Sequence, residues 1–194
     1  MTVTDPRRRL LAGLAAASAA LMLPSCGSEP KEAGDEAAEV SGETLAVMVG
    51  DADGLSAVSA ALGDAGLSQV FDGAASYTIL APQDAVFDAL GEQGEALRTP
   101  EQQPAMVAIL RDHIVPGYLT PDDIGKSIEL ADDGRVQMRT MGDHVLTFTR
   151  EGETITVTNE DGSTARFAGD PLRASNGVAI PLDGLLKNVE APEA

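Results

Sequence analysis

The spacing of apolar residues changes partway along this chain, and that change limits the possible fold more than any other feature. Between positions 55 and 62, apolar residues recur at the three- and four-residue spacing of one helical face. From Ser127 onward the period becomes two, and Glu151-Gly152 and Asp161-Gly162 supply turns between the alternating stretches. Helices in the first half followed by strands in the second predict an α+β fold rather than an alternating parallel sheet.

Short elements are predicted on either side of Pro82. The run Tyr77-Thr78-Ile79-Leu80 favours a strand, and Pro82 disfavours helical geometry at Ala81. A helix is expected to begin directly afterwards, near Gln83 or Asp84. The chain should therefore pass from a buried strand into a helix within a few residues.

A longer helix is predicted to continue up to Pro116-Gly117. Its start is ambiguous, because Thr99-Pro100-Glu101-Gln102 has the form of a capping box while Pro104 competes as a first-turn residue. Thr120-Pro121-Asp122-Asp123 repeats the pattern of capping residue, proline and acids, and predicts a further, short helix. The apolar face of the longer helix is formed by four residues at i, i+3, i+4 and i+7: Met106, Ile109, Leu110 and His113.

The N-terminal residues have the pattern of an export signal. Three arginines at positions 7–9 precede an apolar run at positions 10–23, which is shorter than the roughly 20 residues of a membrane span. Residues 1–25 are therefore predicted to be removed during export. With a single cysteine, Cys26, no intramolecular disulfide can form, so the exported domain depends on its hydrophobic core.

Leu23-Pro24-Ser25-Cys26 resembles the lipobox of bacterial lipoprotein precursors. The resemblance implies that Cys26 carries the lipid that anchors the mature protein to the membrane of the cell envelope. The alternative is a free thiol at an ordinary signal-peptidase site. The arginine run also resembles a twin-arginine export signal, although ordinary signals contain similar runs.

The remaining chain divides into three parts by composition. Residues 26–44 are rich in Glu, Ala, Gly and Ser without apolar periodicity, which predicts a flexible acidic tether behind the lipidated cysteine. Residues 45–189 carry continuous apolar patterning and form the predicted globular domain. Residues 190–194 are predicted to be a disordered tail.

Three separated segments of the globular part resemble the signature segments of a fasciclin (FAS1) domain, and they occur in the family's order. They are the residues at 77–87 (YTILAPQDAVF), 113–117 (HIVPG) and 174–180 (ASNGVAI). The resemblance implies a wedge-shaped β-sandwich with helices concentrated in the N-terminal half. It also implies an exported or surface-anchored protein that acts in adhesion or matrix binding, without a catalytic centre.

The resemblance implies structural roles for most of the motif residues and recognition roles for a few. Asn176-Gly177 is expected to form a tight turn with positive backbone dihedrals. The family's recognition positions correspond to Asp112, His113 and Leu172, but Asp112 and Pro171 replace the tyrosine and the aspartate used in animal integrin recognition. The residues expected to serve the fold are Thr78, Ala81, Pro82, Phe87, Gly117, Asn176, Gly177 and Asp183.

Charge and residue types limit the remaining functions. The chain has a net charge of −18, which excludes nucleic acid as an expected partner. Its two histidines and one cysteine provide no zinc-ligand pattern, so neither a metal nor another cofactor is expected. His113 is expected to be a neutral core residue and His144 a partly buried sheet residue, and the protein is not expected to be an enzyme.

The expected function is therefore non-catalytic binding at the cell envelope, through an exposed face of the domain, to a protein or polysaccharide whose identity the sequence does not reveal. One alternative is a periplasmic structural or regulatory partner of a membrane protein, recognised through its acidic surface. The other is a weak hydrolase that uses His113.

Overall fold

The structure, a computed structural model, describes residues 40–71, 73 and 75–189. The predicted signal, Cys26, most of the predicted tether and the predicted tail lie outside these residues. Within them the helices are α1 (Leu45–Asp51), α2 (Ser56–Asp64), α3 (Ser68–Phe71), α4 (Asp84–Ala89), α5 (Glu92–Leu97), a short 3-10 helix (Pro100–Gln102), α6 (Gln103–Asp112) and α7 (Pro121–Leu130). The strands are β1 (Tyr77–Pro82), β2 (Ile114–Pro116), β3 (Arg135–Arg139), β4 (Val145–Glu151), β5 (Thr154–Asn159), β6 (Thr164–Arg166), β7 (Leu172–Ala174) and β8 (Gly177–Leu182).

Helix α2 confirms the helix predicted from the apolar spacing at positions 55–62. Its buried side is formed by Val58, Ala61 and Leu62 with Ala57. The helix ends at Asp64, and Gly66 follows two residues later with a φ of 63°, in the left-handed region that glycine adopts at low cost. At the other end, the Asp84 carboxylate accepts hydrogen bonds from the first backbone N–H groups of the helix and so satisfies donors that have no partner within it.

The helix predicted to continue to Pro116-Gly117 ends earlier, at Asp112. The next residues form β2, which pairs antiparallel with β1 so that Thr78 faces Val115. The prediction was wrong because an open edge of β1 offers hydrogen bonds to the β-branched pair Ile114-Val115, which favours extended geometry.

The two predicted capping boxes behave differently. The Thr99 hydroxyl donates to the carbonyl oxygen of Ala96 instead of capping, so the box predicted there does not form. At α7 the box is complete, since the Thr120 hydroxyl accepts from the Asp123 N–H and the Asp123 carboxylate accepts from the Thr120 N–H. Helix α7 is ten residues long, so the predictions of a short helix and of strand alternation from Ser127 were wrong.

Two four-stranded sheets form the rest of the domain. The first has the order β2-β1-β8-β7, in which β1 and β8 are parallel and the outer pairs are antiparallel. The second is an antiparallel meander with the order β3-β4-β5-β6. An isolated bridge between Phe167 and Leu182 joins the two sheets.

The first sheet is buried on both faces. Ile79 and Ala179 face the helices α1 to α6, whereas Leu80 and Ile180 face the second sheet. The inward side of the second sheet contributes alternate residues of β4 and β5 to the same core, and α7 closes it. This arrangement is the predicted α+β fold, a β-sandwich with the helices α1 to α6 on one side.

Candidate functional site

His113 follows the last residue of α6 and is completely buried. Its Nδ1 lies 2.8 Å from the carbonyl oxygen of Ile109, and its Nε2 lies 2.9 Å from the backbone nitrogen of Leu186. Because the Leu186 N–H can only donate, Nε2 accepts this hydrogen bond and Nδ1 carries the proton. The imidazole therefore joins α6 to the C-terminal segment as a neutral ring.

The environment of His113 leaves no role for the ring in recognition or proton transfer. Burial lowers its pKa to about 4, although the hydrogen bond to Ile109 and the charge of Asp112 act in the opposite direction. Both ring nitrogens are occupied by backbone groups. The geometry thus gives no support to a hydrolase that uses this residue as its base.

Asp112 is the centre of a charged cluster. Only 5% of its side chain is exposed. One carboxylate oxygen, Oδ1, lies 2.7 Å from Nδ1 of His144, and the other, Oδ2, lies 3.7 Å from Nζ of Lys187. A Cβ atom at Gly142 would collide with the carboxylate, so glycine is required for this close packing. The buried carboxylate thus positions the His144 ring and the Lys187 ammonium at the surface of the domain.

A groove of about 570 Å³ lies beside this cluster. Its walls are the last turns of α6, the turn before β4 and the segment at 187–189. Apolar contacts come from Ala105, Ala108 and Ile109, while Arg111 and Lys187 are the cationic residues of the lining, beside the His144 ring. The volume lies within the roughly 300–1,000 Å³ typical of small-molecule sites.

Leu172 lies far from this groove. It belongs to β7 at one edge of the first sheet, whereas Asp112 and His113 lead into β2 at the other edge. Three strand spacings separate these edges, about 14 Å. The Leu172 side chain is half-buried against the helical side of the core. The structure therefore does not bring the three predicted recognition residues together in one surface.

Thr78 and Gly117 connect β1 to the loop after β2. The Thr78 hydroxyl donates to the Gly117 carbonyl oxygen at 2.8 Å and accepts from the Leu119 N–H at 2.9 Å. Gly117 has a φ of 111°, which strongly favours glycine. Both residues contribute to the fold.

Asn176-Gly177 also acts in the fold, but not as expected. Neither residue has a positive φ, so the prediction of left-handed turn geometry was wrong. The Asn176 side chain accepts a hydrogen bond from the Leu45 N–H at 2.8 Å and donates to the carbonyl oxygen of Phe71. A Cβ atom at Gly177 would collide with the Tyr77 carbonyl oxygen. The motif therefore serves close packing between the start of α1 and the first sheet.

The remaining motif residues lie in or beside the core. Ala81 and Pro82 are buried in β1, which is paired along its length with β8. Phe87 is buried in α4, with the Arg98 guanidinium 5.4 Å from its ring centre. The Asp183 carboxylate accepts from the Arg166 N–H at 2.6 Å and so links the end of β8 to β6.

The second sheet presents a polar outer face that belongs to no sequence motif. Its residues come from two rows that run across all four strands, and we call these eight residues the outer face. The first row is Arg135, Thr149, Thr156 and Arg166, and the second is Gln137, Thr147, Thr158 and Thr164. All eight are exposed or partly exposed, and none is acidic.

The acids nearest to the outer face are Asp133 and Asp183, whose carboxylates accept hydrogen bonds from the backbone N–H groups of Arg135 and Arg166. Glu151 and Glu160 lie at the strand ends. In the described part of the chain, the guanidinium groups of Arg135 and Arg166 have no carboxylate partner, whereas Arg98 and Arg150 pair with acids elsewhere. The outer face is therefore a hydroxyl-rich surface with unpaired cations in a strongly acidic protein.

The model of the fasciclin domain matches residues 53–188, which is more than half of the chain. The chain belongs to the fasciclin family. No curated protein matches the chain.

A solved structure agrees with the family assignment at the level of the fold. The FAS1 domain pair from the insect cell adhesion molecule fasciclin I matches with a TM-score of 0.64 and 15% identity. The match covers 75% of this chain and 51% of that chain, so this protein spans about half the length of its neighbour.

Sequence reasoning missed two features of this fasciclin domain. The threonine alternation in β4 and β5 was visible, but only the strand register places it beside Arg135 and Arg166. The groove could not be predicted from the sequence, because part of its lining comes from residues about 30 and 75 positions after Asp112. Within the described ranges, no group of His, Cys, Asp and Glu side chains could hold a metal ion, and no helix is long and apolar enough to cross a membrane.

Proposed function

We propose that this protein is a non-catalytic binding module of the bacterial cell envelope, held at the membrane by a lipid on Cys26. Membership of the fasciclin family supports this proposal, because fasciclin domains are known in cell adhesion proteins. The lipobox-like residues before Cys26 support the anchor. The acidic segment between the anchor and the domain would hold the domain away from the bilayer.

The observation that carries the binding proposal is the outer face. Its threonine hydroxyls and arginine guanidiniums supply hydrogen-bond donors over a width of about 14 Å, from β3 to β6. The outer face contains no aromatic residue and no methionine, which are residue types enriched at protein–protein interfaces. A polymer rich in hydroxyl and carboxylate groups fits this surface better than a protein, and we infer an acidic polysaccharide as the ligand.

The overall negative charge does not oppose such a ligand at close range. At physiological ionic strength, exposed charges separated by more than about 8 Å are largely screened. The arginines of the outer face therefore act on a polymer that lies across the sheet, while the acids of the helical side contribute little.

Retention of the purified protein on immobilised alginate, a polymer of uronic acids, tests the proposal. We expect the wild type to be retained and the double variant Arg135→Gln/Arg166→Gln to be retained much less. The matched control is Arg98→Gln/Arg150→Gln, which removes the same charge from arginines paired with acids outside the outer face. Equal retention of the two double variants would refute binding through the outer face.

The alternative function, docking to a membrane protein through the acidic surface, makes a different prediction. Crosslinking in intact cells with Cys26 retained would then capture one membrane protein, and the outer-face variant would capture it equally well. Capture of no membrane protein by the wild type would rule out this alternative.

A further inference from the structure

The groove beside Asp112 combines features that the binding of a polymer to the outer face does not use. It is formed by α6, the turn before β4 and the C-terminal segment, rather than by the outer rows of the second sheet. Its floor and one wall are apolar, through Leu97, Ala105, Ala108, Ile109 and Val189. This lining suits the apolar body of a small molecule.

Two cationic groups, Lys187 and Arg111, meet at the polar side of the groove. The Lys187 ammonium lies 3.7 Å from the nearest Asp112 oxygen, which is too far for a hydrogen bond. His144 donates from Nδ1 to the Asp112 carboxylate. Arg111 has no ion pair or side-chain hydrogen bond among the described residues. Among the residues that line the groove, the buried Asp112 is the only one with a negative charge.

Asp112 positions these donors but is too buried to interact with a ligand directly. Its carboxylate fixes the His144 ring through Nδ1 and keeps the Lys187 ammonium near the groove. The lining of the groove carries a net positive charge, from Arg111 and Lys187 against Asp112, in a chain whose net charge is −18. Local charge complementarity therefore favours an anionic ligand.

We propose that the groove beside Asp112 binds a small amphipathic anion, a molecule with one carboxylate or sulfonate group on an apolar body. The acidic group receives hydrogen bonds from Lys187 and Arg111, and the apolar body lies against Ala105, Ala108 and Ile109. The groove lacks a nucleophilic serine or cysteine in its lining, so the inferred role is binding.

A pair of fluorescent probes tests the recognition of charge. 8-Anilinonaphthalene-1-sulfonate is an amphipathic anion, and N-phenyl-1-naphthylamine has the same aromatic body without the sulfonate. We expect the folded protein to bind the sulfonate and to bind the neutral probe at least tenfold more weakly, as the loss of a charge-assisted hydrogen bond implies. Decanoate should displace the bound sulfonate, and decanol should not.

Variants assign the binding to this groove. Lys187→Gln and Arg111→Gln should each weaken sulfonate binding about tenfold, because each removes one charge-assisted hydrogen bond. Ala108→Trp fills the groove without changing its charge and should abolish binding of the sulfonate. The control is Arg98→Gln, which removes a cation from a second, smaller groove between α2 and α6 and should leave the affinity unchanged.

Circular dichroism establishes that each variant is folded before its affinity is compared. Wild-type affinity in Lys187→Gln and Ala108→Trp would overturn the proposal, as would equal affinity for the charged and neutral probes. If only Arg98→Gln weakened sulfonate binding, the anion would be assigned to the second groove, and the proposal would also be overturned. None of these outcomes bears on retention by alginate, because the groove and the outer face have no residue in common.

Discussion

His113 joins two backbone segments that are 73 residues apart. A residue that the family resemblance marks for recognition is thus used entirely within the fold, because both of its nitrogens meet backbone groups that would otherwise be buried without partners. An unsatisfied buried donor or acceptor costs about 1–3 kcal/mol. Its neighbour Asp112, rather than the histidine, borders the surface where a ligand could be held.

The burial of His113 predicts a pH dependence of stability. An unfolded histidine titrates near pH 6.5, while the pKa of folded His113 is about 4. Between these values the unfolded state binds more protons, so stability should fall as the pH is lowered from 6.5 to 4, by roughly 3 kcal/mol in total. Urea unfolding at several pH values measures this slope.

The His113→Gln variant provides the comparison for this slope. It removes the titrating group, so its free energy of unfolding should fall much less than that of the wild type as the pH is lowered. Near neutral pH the variant is less stable than the wild type. His144→Gln leaves the buried ring in place and should keep the contribution of His113. An unchanged slope in His113→Gln would contradict the assignment.

Gly177 predicts a steric effect of a single methyl group. Gly177→Ala would press Cβ against the Tyr77 carbonyl oxygen and to within 2.7 Å of a Leu45 methyl carbon, and overpacking of this kind costs about 1–3 kcal/mol. Gly63→Ala, an exposed helical site with nothing within 4 Å of the new Cβ, should instead stabilise by up to about 1 kcal/mol. The midpoints of urea unfolding curves compare the stabilities of the two variants. Equal effects would mean that Gly177 is not restricted by packing.

At the scale of elements, the two capping boxes show that a capping sequence alone does not determine whether a cap forms. Thr99 and Thr120 precede similar residues, yet only Thr120 caps a helix. Hydrogen bonds from the Thr120 hydroxyl and then from its N–H lower the pKa of Asp123 and so favour its charged form. The difference depends on the preceding chain, because Thr99 lies two residues after the end of α5 and its hydroxyl donates back to Ala96 of that helix.

Replacement of each threonine by alanine tests this difference. Thr120→Ala should lower the free energy of unfolding by about 1 kcal/mol, within the 0.5–2 kcal/mol typical of lost caps. Thr99→Ala should change it by less than about 0.5 kcal/mol, as is usual for exposed substitutions. Thermal unfolding of both variants is the measurement. A larger loss in Thr99→Ala would show that the cap assignment is reversed.

The elements that sequence predicted correctly depend on local patterns. The strand before Pro82 and the helix face at 55–62 follow from residue type and period. The end of α6 at Asp112 and the strand that follows depend on pairing with β1, about 35 residues earlier, which no local pattern encodes. For the same reason, the residues of the outer face and the groove could be recognised one by one but not assembled.

At the scale of the whole molecule, two separate surfaces of the described residues carry cationic side chains. The outer face carries Arg135 and Arg166, and the groove carries Arg111 and Lys187. An acidic protein with two separate cationic surfaces can remain soluble and still bind anionic ligands locally. This distribution supports a binding module rather than a uniformly charged spacer.

The proposed anchor predicts the behaviour of the full-length chain in cells. Cys26→Ser removes the thiol that would carry the lipid, so the protein should move from the membrane fraction to the soluble fraction, because stable anchoring depends on the acyl chains. Fractionation followed by mass spectrometry of the N-terminal peptide measures both location and modification. Retention of the serine variant in the membrane, or an unmodified thiol in the wild type, would refute lipid anchoring.

The central claim is that this fasciclin domain binds an acidic polymer through the outer face of its second sheet. Nuclear magnetic resonance spectra of the labelled protein, recorded as alginate oligosaccharide is added, test this claim directly. We predict that the largest amide shift changes occur at Thr147, Thr149, Thr156 and Thr158, with little change in α2 or α6. Shift changes confined to the helices, with the β4 and β5 amides unmoved, would contradict it.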